Sequence, residues 1–161
     1  MRLDEEVFAV ILAVTIVGSV LSVAMIIPRS SERFASLGLL GEDAKIGDYP
    51  REVFVGEKVK LNLYLANYMG YTALFMIQGK IGNGQIPING TSLDVPPVLT
   101  KYIVLCNECN ATIPVEVVFN EPWINQTLVF ELYIFNSTLN EWNYTGIYVF
   151  LRLNVTSIGA W

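Results

Sequence analysis

The chain has 161 residues, is 53% hydrophobic and carries a formal net charge of -5 without any histidine. The missing histidine removes the commonest general base and the commonest metal ligand, which disfavours an enzyme. An acidic balance repels phosphate backbones, which disfavours nucleic-acid binding. We therefore expect no catalytic residues, no metal site, no cofactor and no nucleic-acid partner.

The N-terminal segment 7–28 is a run of 22 residues without a single charge. At about 1.5 Å per residue a helix of this length reaches roughly 33 Å, enough to cross the hydrocarbon core of a bilayer. The segment therefore predicts one transmembrane helix. A cleaved signal sequence is the alternative, but the preceding tail 1–6 is acidic and the apolar run is unusually long. A pilin-like helix that bundles into a filament is a further alternative.

The remaining residues, 29–161, predict one domain that is large enough to close its own hydrophobic core. Arg29 and Arg33 follow the apolar segment, whereas only Arg2 and the amino group precede it. Taken alone, these basic residues favour a cytoplasmic domain. The sequons and cysteines described next favour the opposite orientation, in which the tail 1–6 is cytoplasmic.

Six Asn-X-Ser/Thr sequons lie in the second half of the chain, several times more than chance gives. Their asparagines are Asn89, Asn110, Asn125, Asn136, Asn143 and Asn154. This density predicts N-linked glycans and an extracellular domain on a single-pass protein of the cell membrane. The alternative is that Asn and Thr are frequent because both favour turns and strand edges.

The two cysteines form a CxxC pair, Cys106 and Cys109. Outside the cytoplasm such a pair is most simply oxidised to a local disulfide. A redox-active pair is the main alternative, although it normally opens a helix and this one follows a strand-like run. Two free thiols are the remaining possibility. A structural zinc site would need further Cys or His ligands, which the chain lacks.

Apolar residues alternate with period two along much of 29–161, which predicts strands. The alternation is clearest at 58–66, 112–119, 128–134 and 149–155. Shorter strands are predicted at 34–40, 52–55, 72–81 and 101–105. Seven or eight strands without a second helical pattern indicate an all-β, immunoglobulin-like β-sandwich after the transmembrane helix. Asn83-Gly84 predicts a two-residue hairpin turn.

Apolar side chains also occupy the outward positions of the last strands: Val129, Tyr133, Phe135, Tyr148 and Phe150. One contiguous patch of this kind would be an interaction face for another protein or for the membrane surface. The alternative is that loops or the tryptophans Trp123, Trp142 and Trp161 cover it. The scattered carboxylates of this region are interpreted as solvated: Glu108, Glu116, Glu121, Glu131 and Glu141.

Several short segments follow one another in a characteristic order: Ser31-Glu32-Arg33-Phe34, Leu39-Leu40-Gly41, Asp48-Tyr49-Pro50, Val55-Gly56-Glu57, Ala66-Asn67-Tyr68, Leu132-Tyr133-Ile134-Phe135 and Leu151-Arg152-Leu153-Asn154-Val155-Thr156. In these segments the chain resembles an archaeal family catalogued as a domain of unknown function, number sixteen-sixteen. The resemblance implies membrane helices before an extracytoplasmic β domain, and it brings no catalytic residues.

We therefore expect a non-enzymatic surface protein, anchored in the bilayer by 7–28, whose β-sandwich binds other envelope or membrane proteins. One alternative is a subunit of a pilus-like filament or another homo-oligomer. A second alternative is an accessory subunit of a membrane redox complex, in which Cys106 and Cys109 cycle between thiol and disulfide.

Overall fold

The computed structural model describes residues 4–26, 32–157 and 159. The chain divides into two compact units, an N-terminal unit that contains the helix and a β unit that begins at Arg33. Each unit is described by itself below.

Helix α1 extends over Glu5–Ile26 and is long and apolar enough to cross a membrane. Its hydroxyl groups are satisfied inside the helix, since Thr15, Ser19 and Ser22 donate to carbonyls four residues earlier. Internal satisfaction of polar groups is what a bilayer requires, because lipid offers no partners. The same length and composition are also found in N-terminal signal sequences. Positions 27 and 28 of the predicted span lie outside the described residues.

Eight strands follow: β1 Phe34–Leu40, β2 Glu52–Phe54, β3 Lys58–Tyr68, β4 Ala73–Ile81, β5 Leu99–Leu105, β6 Cys109–Val118, β7 Trp123–Asn136 and β8 Glu141–Thr156. They form a three-stranded sheet in the order β1-β3-β6 and a five-stranded sheet in the order β2-β8-β7-β4-β5. The short pairing of β2 with β8 is parallel, and the other pairings are antiparallel.

The core lies between the two sheets, where the inward apolar rows meet. Leu63 and Leu65 of β3 are fully buried, as are Phe75 of β4 and Phe130 of β7. Residues of both sheets belong to one apolar cluster. The predicted all-β, immunoglobulin-like sandwich is confirmed, because period-two alternation places one face of each strand in a shared core.

The turn at Asn83-Gly84 is present, but the predicted hairpin is wrong. Both residues have positive φ, 49° and 83°, and the Gln85 amide donates to the Gly82 carbonyl at 2.9 Å. The chain then leaves the sheet, and the Gln85 carbonyl accepts the hydroxyl of Thr127 in β7 at 2.7 Å. Strand β4 instead pairs with β5 after the long connection 82–98.

Candidate functional site on the outer face of the larger sheet

The outer face of the five-stranded sheet points away from the core and carries rows of side chains that cross the strands. One row contains Tyr102 of β5, Met76 of β4, Tyr133 of β7 and Tyr144 of β8. Side chains that face each other across strands in this way are close enough to pack. The register of the strands therefore decides which aromatic residues meet.

The aromatic residues of this face form two clusters, one around Trp142 and one of Tyr148 and Phe150. The Trp142 ring lies 5.2 Å from the Phe135 ring and 5.6 Å from the Tyr102 ring, centroid to centroid. Tyr148 and Phe150 stack at 6.3 Å, and the Arg152 guanidinium lies 5.7 Å from the Phe150 ring. We name as the aromatic face the residues Tyr102, Val104, Phe135, Trp142, Tyr148 and Phe150.

Exposure is uneven across the aromatic face. Tyr102 is 63% exposed, Val104 65% and Phe150 41%. Phe135 and Tyr148 are partly buried, because neighbouring rings cover them. The most open residues therefore lie on β5, an edge strand of the sheet.

Val129 does not belong to an exposed face, and its prediction as an interaction residue is wrong. Its exposed fraction is 0%. Leu93, in the connection 82–98, is hydrogen-bonded to Lys80 and Glu131, the neighbours of Val129 on this side of the sheet. The connection thus covers this half of the outer face, and Tyr133 beneath its edge is only partly exposed.

A buried ion pair holds the connection in place. Glu131 has an exposed fraction of 0%, and its Oε2 lies 2.8 Å from the Lys80 ammonium. Glu131 Oε1 accepts the Leu93 amide at 2.6 Å, and Lys80 donates to the Leu93 carbonyl at 2.8 Å. The interpretation of Glu131 as a solvated carboxylate is therefore wrong. Its burial is possible because every polar atom of the pair has a partner.

Two hydroxyls complete this network around Glu131. Ser92 Oγ donates to Oε2 at 2.9 Å and Tyr133 Oη donates to it at 2.8 Å. Burial by itself raises the pKa of the Glu131 carboxyl, but the hydrogen bonds from Leu93, Lys80, Tyr133 and Ser92 outweigh it. Together they hold the pKa below its ordinary value of 4.5.

Ser92 and Lys80 lie 2.8 Å apart, which is the spacing of a serine–lysine catalytic dyad. Such a dyad needs a neutral amine with a free lone pair to accept the serine proton. The Lys80 nitrogen instead donates to Ser92, to the Leu93 carbonyl and to the Glu131 carboxylate. These three contacts join Lys80 to Ser92, Leu93 and Glu131 and so hold the connection on the sheet.

Tyr144 lies beside the network but outside its hydrogen bonds. Its ring packs 5.2 Å from the Tyr133 ring, and its buried hydroxyl has no partner among the described residues. Burial, with a smaller contribution from the Glu131 charge, raises the pKa of Tyr144 to about 12. The hydroxyl therefore stays protonated at physiological pH.

The six sequons differ in accessibility. Five of the asparagines are exposed and Asn136 is partly buried, with its Oδ1 accepting the Thr138 amide at 3.0 Å. Asn154 Oδ1 accepts the Asn125 amide at 2.9 Å, so two sequons are adjacent in space. The hydroxyl of the Asn125 sequon, Thr127, is fully buried. Glycosylation at these sites stays a prediction.

Cys106 and Cys109 form a disulfide in the turn between β5 and β6. The same turn is held by Asn67, which is fully buried. The Asn67 amide nitrogen donates to the carbonyls of Leu105 and Cys106 at 2.8 and 3.2 Å. Among residues 4–26, 32–157 and 159, no group of three or more Cys, Asp or Glu side chains comes together as a metal site.

Among the residues of this face, the sequence did not point to Lys80, Tyr102 or Val104. Tyr102 and Val104 alternate with the inward residues of a predicted strand, so the sequence pattern could have placed both side chains on the outer face. Glu131 has the parity of Val129 and Tyr133, and a charge between apolar neighbours was a signal of a buried pair. Its partner Lys80 could not be identified from the sequence, because neither strand sequence shows that β4 pairs with β7. Trp161 lies outside the described residues, and Trp142 joins the aromatic face.

No protein-family model and no curated protein sequence matches the chain significantly. Among solved structures it is similar to the CARDB domain of a Pyrococcus furiosus protein in complex with di-metal ions, with a TM-score of 0.48, 8% identity, and coverage of 77% of this chain and 89% of that chain. For a β-glucosidase from Listeria innocua the TM-score is 0.43 with 14% identity, over 76% of this chain and 16% of that one. For a chain of the human seminal plasma complex of Zinc 2-glycoprotein and Prolactin inducible protein, the TM-score is 0.46 with 10% identity, over 80% of this chain and 100% of that one.

Similarity at this level carries no information about activity. The elements and contacts described above define a β-sandwich protein with one apolar N-terminal helix.

Proposed function

We propose that this chain is a non-enzymatic, membrane-anchored cell-surface protein whose glycosylated β-sandwich binds other proteins of the envelope. The observation that carries the proposal is the aromatic face, which leaves large apolar side chains in solvent beside a part of the same sheet that the connection 82–98 covers. Exposed apolar residues gathered on one face of a sheet are typical of protein-binding surfaces.

The composition of the aromatic face supports a protein partner. Tyr, Trp and Phe are enriched at protein interfaces, and so is arginine, represented here by Arg152. Tyr102 and Val104 are the most exposed members and lie on an edge strand, where a partner approaches without displacing any other strand. Trp142, packed against Tyr102 and Phe135, supplies a large apolar surface that is already ordered.

Three features support the location in the proposal. Helix α1 has the length and apolarity of a membrane anchor. The sequon residues Asn110 and Asn143 lie exposed on strands, open to glycans. The Cys106–Cys109 disulfide fits an oxidising compartment outside the cytoplasm.

Site-specific photo-crosslinking in native membranes tests the proposal. A benzoylphenylalanine at position 104 or 150 is expected to crosslink a distinct envelope protein. The matched control is the same group at position 116, because Glu116 is exposed on the three-stranded sheet. Equal crosslinking from position 116, or recovery of a lone monomer in mild detergent without any crosslink, would contradict the proposal.

A second arm asks whether the apolar character of the face matters. Val104→Lys places a charge on the most exposed part of the proposed contact, and we expect it to abolish co-purification of the partner. Glu116→Lys changes charge on the other sheet and is expected to leave co-purification unchanged. Val104 is 65% exposed, so its replacement has little effect on the fold.

A further inference from the structure

A cavity of about 450 Å³ opens at one end of the sandwich, away from the aromatic face. Its walls come from the last residues of the connection 82–98, from Ile81 at the end of β4 and from the segment between β6 and β7. We name this cavity the end pocket. Its volume lies within the range of small-molecule binding sites.

The floor and one wall of the end pocket are apolar. Phe119 is almost fully buried, and Pro96 and Val98 are exposed beside it. Trp123, the first residue of β7, is 43% exposed and also lines the cavity. The pocket thus offers an aromatic ring system and an apolar floor in one concave site.

The polar groups of the end pocket are neutral amides and one carboxylate. Gln126 is buried, and its Nε2 donates to Asn83 Oδ1 at 2.9 Å, which fixes the orientation of the Asn83 amide. Within the described residues, the Asn83 amide nitrogen, the Asn120 amide and the Glu121 carboxylate have no side-chain hydrogen-bond partner or ion pair. Donors and acceptors are therefore both available at the rim.

We propose that the end pocket binds a neutral saccharide unit. A sugar ring presents C–H groups that pack on an indole, and hydroxyls that both donate to a carboxylate and exchange hydrogen bonds with amides. No lysine or arginine lines the pocket, and Glu121 repels anions, which disfavours phosphates and nucleotides. A single carboxylate is too few ligands for a divalent cation.

The saccharide has two possible sources with the same chemistry. Asn125, a predicted glycan site, immediately precedes Gln126, so a glycan of this chain is near enough to fold into the pocket. The other source is a saccharide carried by another molecule of the envelope. Neither source involves the aromatic face, so failure of the protein-binding proposal leaves this one intact.

Saturation-transfer NMR on the full chain tests the proposal, in a detergent without a sugar headgroup. The probes are glucose, galactose, mannose and N-acetylglucosamine. We expect at least one of them to bind, and Trp123→Leu to weaken it by about tenfold, since an aromatic contact is worth up to about 1.5 kcal/mol. The matched control is Trp142→Leu on the aromatic face, which is expected to bind as the unchanged protein does.

Asn120→Ala keeps the test valid if Trp123→Leu fails to fold, because Asn120 is exposed. We expect it to weaken saccharide binding as well, with an unchanged thermal midpoint. Asn125→Gly removes the nearby sequon and tolerates the positive φ of 59° at this position. Binding that appears only in Asn125→Gly identifies the chain's own glycan as occupant, and binding in both proteins identifies an external saccharide.

Three results would overturn the proposal. The first is that no probe binds Asn125→Gly. The second is binding that persists unchanged in folded Trp123→Leu and in Asn120→Ala. The third is binding of a neutral capped peptide, acetyl-Ser-Asn-Thr-amide, in the absence of any saccharide binding, which would make the end pocket a peptide site.

Discussion

Glu131 and Lys80 form a buried salt bridge. We expect removal of one charge to lower the free energy of unfolding more than removal of both, because a single buried charge has no counter-charge. Glu131→Gln leaves the Lys80 ammonium buried without its counter-charge. We expect it to lower the free energy of unfolding by about 3–5 kcal/mol, measured by urea denaturation. The control is the double variant Lys80→Met/Glu131→Leu, which we expect to lose less than Glu131→Gln alone. A single-variant loss below that of the double variant would contradict this account.

The lowered pKa of Glu131 makes this contribution dependent on pH. Because the folded-state pKa lies below the ordinary value of 4.5, the contribution is fully present above pH 4.5 and is lost as the pH falls through the folded-state pKa. We expect the thermal midpoint to decrease with acidification below pH 4.5. Other carboxylates also titrate there, so the Lys80→Met/Glu131→Leu variant is the reference. An identical pH profile for both proteins would refute the assignment.

Tyr144 and Tyr133 offer a matched comparison of two neighbouring hydroxyls. Tyr144→Phe removes a buried hydroxyl without a protein partner, and we expect stability to stay the same or to rise by about 1 kcal/mol. Tyr133→Phe removes the hydroxyl that donates to Glu131 Oε2, and we expect a loss of about 1–3 kcal/mol. Chemical denaturation measures both. A loss for Tyr144→Phe as large as that for Tyr133→Phe would count against this difference.

At the scale of elements, the disulfide and the Asn67 side chain both hold the turn between β5 and β6. The disulfide closes a very short loop, so reduction is expected to cost only about 1–2 kcal/mol. Asn67→Ala removes a buried hydrogen bond to the Leu105 carbonyl and partly buried hydrogen bonds to the Tyr71 and Cys106 carbonyls. We expect it to cost more, about 3 kcal/mol. Thermal unfolding of Asn67→Ala and of Cys106→Ser/Cys109→Ser compares them, and the reverse ranking would show that the disulfide is the main support.

The strands could be predicted from the sequence because alternation with period two is a local signal. Strand β1 begins and ends where it was predicted, at Phe34 and Leu40, whereas β4 begins one residue later than predicted and ends at Ile81 as predicted. The connection 82–98 was not predictable in the same way, because its path depends on Lys80 and Glu131, which are distant in sequence. The prediction that Val129 is exposed was wrong for the same reason. Alternation shows which face of the sheet a side chain occupies, but not whether another segment covers that face.

For the molecule as a whole, the sequons provide a measurement of topology. If the β unit lies outside the cytoplasm, we expect mass spectrometry of protein from native membranes to find glycans at Asn110 and Asn143, which are exposed on strands. We expect the lowest occupancy at Asn125, because its Thr127 hydroxyl is buried and bonded to the Gln85 carbonyl. Unmodified asparagines at all six sites together with reduced cysteines would place the β unit in the cytoplasm.

The Leu93 carbonyl has a second partner besides Lys80: it also accepts the Val95 amide at 2.9 Å. Val95 lines the end pocket, so one oxygen atom joins the buried ion pair to the pocket wall. We therefore expect occupancy of the end pocket to stabilise the salt bridge, and by linkage the salt bridge to strengthen binding in the pocket to the same extent. A bound saccharide would consequently slow proteolytic cleavage of the connection 82–98. Removal of the Glu131 charge in Glu131→Gln would weaken saccharide binding at constant pH, without altering any residue that lines the end pocket.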